Sequence, residues 1–92
     1  MITNDAWITV DPARVANVLQ GDAVAKVNGG EREVTLDFSS VLRVDGHAVG
    51  AMEDLARLAD DRSAVIVLRG VNVGVYRVLK QLRLTQRFTF LT

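Results

Sequence analysis

Residues that could carry chemistry are concentrated at one junction of the chain, where a strand pattern ends at Asp37 and a helical pattern opens at Asp45. Gly46 follows Asp45, and then comes His47, the sequence's single histidine. The start of a helix exposes unpaired backbone N–H groups and the positive end of the helix dipole, so it attracts anions. A phosphoryl group there would be stabilised by the amides and disfavoured by the two carboxylates, a balance suited to a switch. The simpler interpretation is structural, with Asp45 capping the helix and Gly46 permitting a tight entry.

The segments on either side of this junction alternate between strand and helix patterns. The sequence predicts strands at residues 7–10, 15–19, 32–38, 64–68 and 87–91. It predicts a short helix over residues 23–27, a longer one that begins at Asp45 and a third that begins after Asn72. The apolar stripe of the longer helix is Ala48, Ala51, Met52, Leu55 and Leu58. This alternation favours an α/β domain of βαβ units with right-handed crossovers, formed as one domain by residues 1–92.

The composition excludes several classes of site. Without cysteine, the chain has no disulfide or thiolate site, and a single histidine does not favour a conventional zinc site, so we expect neither metal nor cofactor. No apolar run approaches the roughly 20 residues that cross a bilayer. The first residues lack the basic and apolar regions of a secretory signal, so we expect a cytoplasmic protein without membrane insertion.

The charges are distributed unevenly along the chain. Residues 1–61 hold all eleven acidic residues and five basic ones, whereas residues 62–92 hold six basic residues and no acidic one. Two oppositely charged, solvated surfaces would explain this, and so would a docking face for an acidic protein partner. A pI of about 6.5 argues against nucleic acid as the partner.

Three segments, in the right order and spacing, resemble the STAS domain family, which includes anti-sigma factor antagonists. They are Leu36-Asp37-Phe38-Ser39 followed by Val41-Leu42-Arg43-Val44-Asp45-Gly46-His47-Ala48, then residues 65–71, then residues 75–88. The resemblance covers about residues 32–92. It implies a mixed sheet of four to five strands, with helices packed mainly on one face.

The sequence departs from the family pattern at the phosphorylation site. In phosphorylatable members a serine or threonine stands two residues after the aspartate, where this chain has His47. We therefore expect no phosphorylation at this position. Three interpretations of His47 remain open: a surface histidine at a helix start, a constant contact with a partner, and a phosphohistidine or catalytic base.

The resemblance implies a non-enzymatic module that binds a regulatory protein, such as an anti-sigma factor or a kinase, through the helix that starts at Asp45. An alternative is a STAS subunit of a bacterial lipid-transport ABC complex, which would stabilise an ATPase partner. A small-anion or nucleotide binder is a third possibility, which Asp37 and Asp45 oppose electrostatically. The residues expected to bind the partner are Asp37, Ser39, Ser40, Arg43, Asp45, Gly46, His47, Val49, Met52 and Glu53.

Overall fold

The computed structural model describes residues 6–91. The strands are β1 (Trp7–Thr9), β2 (Glu33–Asp37), β3 (Val65–Arg69) and β4 (Thr89–Leu91). The helices are α1 (Val15–Val18), α2 (Val24–Asn28), α3 (Gly46–Asp61) and α4 (Val73–Gln81). A π-helical segment (Leu19–Ala23) joins α1 to α2, and a 3₁₀ turn (Thr85–Arg87) precedes β4.

The four described strands form one sheet in the order β1-β2-β3-β4, and each pairs in parallel with its neighbour. Right-handed crossovers that all step in one direction place their helices on the same face of the sheet. The α/β class and the helical layer are therefore as predicted. The expected mixed sheet needs a correction, because all three described pairings are parallel. Successive strands are joined through helical segments, which are the crossover connections that parallel strands need.

The main error of the sequence analysis lies at residues 15–19, which were predicted as a strand and are helical. The β-branched valines favour a strand locally, but the buried residues of this region, Val15, Leu19, Ala23 and Val27, recur every fourth residue. Such a stripe drifts around a regular α-helix of 3.6 residues per turn, and the wider π-helical segment compensates for that drift. The predicted short helix is the end of this longer one.

The core lies between the helical layer and the inner face of the sheet. Leu36, Phe38 and Leu68 are completely buried there, and Met52 and Leu55 of α3 pack into the same cluster. Since the strands are parallel, the segments that follow β1, β2 and β3 all emerge at the carboxyl edge of the sheet. The start of α3 is therefore held beside two other loops on a rigid support.

Candidate functional site

The first turn of α3 has the geometry that the sequence predicts. Asp45 adopts an extended backbone conformation as the N-cap, and its Oδ1 accepts a hydrogen bond from the Ala48 amide at 2.8 Å. No heavy atom lies within 4 Å of where a Cβ would stand on Gly46. Asp45, Gly46 and His47 are all exposed, so this corner is open to a neighbouring molecule.

An open cleft of about 510 Å³ runs beside this turn. It lies between the start of α1 and the start of α3, outside the carboxyl ends of β1 and β2. Arg43, Asp45 and His47 line one wall, and Arg14 lies on the other. The structure thus brings together three of the predicted site residues and adds Arg14, which sequence analysis did not single out.

Asp37 has different surroundings from Asp45 and does not line the cleft. Its Oδ1 accepts a hydrogen bond from the Ser39 amide at 2.9 Å, and its Oδ2 lies 3.9 Å from the Arg69 guanidinium. Hydrogen bonds from the side chain and backbone of Ser39, with a smaller contribution from Arg69, lower the pKa of this carboxyl against a desolvation effect that raises it. Arg69 also lies 5.4 Å from the ring centre of Trp7.

The turn that carries Ser39 and Ser40 is held against the end of β3. The Phe38 amide donates to the Arg69 carbonyl at 2.8 Å, and the chain then passes close to Gly70. A Cβ on Gly70 would lie 2.9 Å from the Ser39 Cβ, and Gly70 has a φ of +73°. Only glycine satisfies both conditions without strain, so Gly70 sets the path of this loop.

Asn72 fastens the next part of the loop to the start of α4. Its Oδ1 accepts from the Val75 amide at 2.8 Å, as the predicted N-cap should. Its Nδ2 donates to the carbonyl oxygens of Val41 and Leu42, at 3.2 and 3.1 Å. With Val41 buried and Leu42 77% exposed, the loop presents an apolar side chain to solvent from a fixed backbone.

Sequence analysis missed Leu42 and this second role of Asn72. No local signal distinguishes Leu42 from Val41 and Val44, the other apolar residues of this loop. No local pattern indicates the contact from Asn72, because its partners are 30 and 31 residues away in the chain.

Most of the predicted partner-binding residues form one surface around the start of α3. We call it the α3 surface, and its members are Ser39, Ser40, Leu42, Arg43, Asp45, Gly46, His47, Val49 and Glu53. Val49 is half-buried and the other members are exposed. Asp37 is half-buried at the border of this surface, where one carboxylate oxygen accepts from the Ser39 amide and the other faces Arg69. Met52 must be removed from the predicted set, because it is 1% exposed and its side chain packs into the core.

Three further observations on the described residues concern metal ligands, buried polar groups and membrane spans. Among residues 6–91, no group of three or more histidine, cysteine or acidic side chains is placed to hold a metal ion. In the same part of the chain, no buried polar side-chain atom lacks a hydrogen-bond partner. None of the helices of this region is long and apolar enough to cross a membrane.

Comparison with known proteins identifies the family. Residues 10–92 match the family model described as "Mlab, STAS domain", so the chain belongs to the STAS domain family. No curated protein matches it in sequence.

Two solved structures of one Thermotoga maritima protein, TM1081, share the fold. The crystal structure, of a protein assigned as an anti-sigma factor antagonist, superposes with a TM-score of 0.76 at 18% identity and covers 97% of this chain and 81% of that chain. The NMR structure gives a TM-score of 0.76 at 17% identity, covering 98% of this chain and 77% of that chain. At such identities the similarity shows the fold alone.

Proposed function

We propose that this chain is a non-enzymatic protein-interaction module that resembles an anti-sigma factor antagonist and binds its partner through the α3 surface. The observation that carries the proposal is the fixed, exposed loop before α3. Leu42 offers an apolar contact there, and exposed polar residues surround it, the arrangement of an interface core with a polar rim. Because Gly70 and Asn72 already hold the loop, little conformational entropy is lost on binding.

The residues at the start of α3 also bear on regulation. Neither Gly46 nor His47 has a hydroxyl group, so we propose that partner binding is not switched by phosphorylation at this position. In this proposal His47 acts as a constant contact on the wall of the cleft. A cytoplasmic location and a role in transcription regulation belong to the same proposal.

A second candidate function is that of a fixed subunit that stabilises a transport ATPase in a bacterial lipid-transport ABC complex. The family model, which is described by the name Mlab, favours it, and so does the lack of a hydroxyl at the switch position. The two candidates use the same α3 surface and differ in the class of partner.

Binding assays against both partner classes test the proposal. The candidates are a sigma-regulating kinase or anti-sigma factor and a transport ATPase encoded near this gene, each titrated with the chain by calorimetry. We expect Leu42→Asp combined with Arg43→Glu to weaken binding by on the order of a hundredfold, because the first change removes an apolar anchor and the second reverses a charge beside it.

Arg62→Glu is the matched control for the charge reversal. Arg62 is exposed and directly follows α3, so at 1.5 Å per residue it stands about 24 Å along the helix from Gly46 and about 14 Å from Glu53, the α3-surface residue nearest to it in the helix. The Arg62→Glu substitution should leave the affinity for the partner within about twofold of the native value, because a charge at that distance is largely screened. Equal affinity for the double variant and the native chain would show that the partner binds elsewhere.

A further inference from the structure

A second exposed apolar surface lies between the start of α4 and the edge strand β4. Val73 is 70% exposed, Tyr76 41% and Leu91 49%. These three residues, with Val71 and Phe90, line an open groove of about 450 Å³. We call these five residues the α4–β4 surface. It is distinct from the α3 surface, which contributes none of the residues lining this groove.

The groove has a defined shape because its aromatic residues support one another. The rings of Tyr76 and Phe90 meet edge to face, with their centres 5.2 Å apart and their planes at 75°. Phe90 itself is fixed by the pairing of β4 with β3, in which it lies opposite Leu68. Apart from Val71 in the loop before α4, the side chains of this surface therefore stand on two regular elements.

Unpaired cations flank this surface. Arg77 and Lys80 follow Val73 at helical positions i+4 and i+7, so they continue the face of α4 that carries Val73. Both are exposed, and neither takes part in any of the ion pairs found within residues 6–91. Residues 62–92 contain no acidic side chain that could neutralise them locally.

We propose that the α4–β4 surface binds an acidic amphipathic segment of a second protein partner. The apolar side chains of that segment would enter the groove, and its carboxylates would face Arg77 and Lys80. A symmetric contact with a second copy of this chain is disfavoured, because it would bring these cations together without an acidic residue between them. The concave shape suits an inserted side chain better than the flat surface of a lipid bilayer.

This surface would let the domain hold two proteins at once, one at α3 and the other at α4. The proposal does not depend on the α3 surface, because the two surfaces share no residue and the cations Arg77 and Lys80 lie on α4. Failure of one surface to bind therefore leaves the other open to a separate test.

The experiment uses two synthetic helical peptides that share leucines at positions i, i+4 and i+7. One carries glutamates beside the leucines and the other carries lysines. Each is titrated into the ¹⁵N-labelled chain, and amide chemical shifts are followed by NMR. The glutamate peptide should cause saturable shifts at Val71, Val73 and Tyr76, and the lysine peptide should cause none.

Two variants locate the binding. Arg77→Glu with Lys80→Glu should weaken binding of the glutamate peptide at least roughly tenfold, since charge attraction becomes repulsion. Val73→Asp should abolish it without unfolding the chain, because an acidic residue in the first turn of a helix is favourable. His47→Ala, a change on the α3 surface, should leave the peptide affinity unchanged.

Several results would overturn the proposal. They are shifts that do not saturate, equal binding of the two peptides, and shifts centred outside the α4–β4 surface. Binding to phosphatidylglycerol vesicles but not to the glutamate peptide would identify a membrane-facing surface instead. Self-association that Val73→Asp abolishes, measured by analytical ultracentrifugation, would identify an interface between copies of this chain.

Discussion

Asn72 donates to the carbonyl oxygen of Leu42 at 3.1 Å, and this contact ties the loop before α3 to the start of α4. The same side chain caps α4 through the Val75 amide. One residue thus sets both the beginning of a helix and the position of the most exposed apolar side chain on the α3 surface. The loop is consequently part of the folded framework.

Two substitutions separate these roles of Asn72. Asn72→Ala removes the cap and the loop contacts, so we expect the free energy of unfolding in urea to fall by about 1–3 kcal/mol. Asn72→Asp keeps an oxygen to accept from Val75 but loses the donors to the loop. It should retain more stability while amide hydrogen exchange accelerates at residues 39–44. Unchanged exchange in that variant would show that the loop is fixed by other contacts.

Any side chain at Gly70 is predicted to lower the stability of the fold. Gly70→Ala would place a Cβ 2.9 Å from the Ser39 Cβ at a φ of +73°, and we expect a loss of about 1–3 kcal/mol in unfolding free energy. Gly50→Ala is the matched control, because it lies within α3 with no atom within 4 Å of the new Cβ. Alanine favours the helix, so that variant should gain up to about 1 kcal/mol. Equal effects of the two changes would contradict this interpretation.

Asp37 should make the domain less stable in acid. Its pKa is lowered in the folded state, so the unfolded chain binds the proton more tightly. The stabilisation is therefore complete above the unfolded-state pKa and is lost as the pH falls through the folded-state pKa. The test is the free energy of urea unfolding measured between neutral pH and the acidic range.

Variants of Asp37 and Ser39 test whether the pH dependence of stability comes from the Asp37 carboxyl group. Asp37→Asn should flatten the acidic part of the profile, and Ser39→Ala should flatten it to a lesser degree, since the Ser39 side chain makes the largest contribution to the shift. If the profile of Asp37→Asn runs parallel to that of the native chain, another carboxyl group is responsible.

Met52 should behave as a core residue and not as part of an interface. It is 1% exposed, and Met52→Ala is expected to lower the free energy of unfolding by about 2–5 kcal/mol. Met52→Leu preserves the volume and should cost less than about 1.5 kcal/mol. Glu53→Ala, at the exposed neighbouring position, should change stability by less than about 0.5 kcal/mol. A small loss for Met52→Ala would mean that its pocket is loosely packed.

Local patterns in the sequence determined most of the elements around the site. Asp45 and Asn72 were predicted as helix caps, and both side chains accept the expected backbone amide. The apolar run at residues 64–68 predicted β3 to within one residue. These features depend on neighbours within a few positions, where side-chain chemistry and periodicity act directly.

Only the tertiary structure decided which of these elements meet. The helical state of residues 15–19 follows from burial against the core, which outweighs the strand preference of valine. Asp37 and Asp45 have different partners, because Asp37 faces Arg69 across the parallel pairing of β2 and β3 and Asp45 caps α3. Contacts between residues 30 positions apart, such as Asn72 with Leu42, arise from packing of the whole chain, so no local pattern of residue types encodes them.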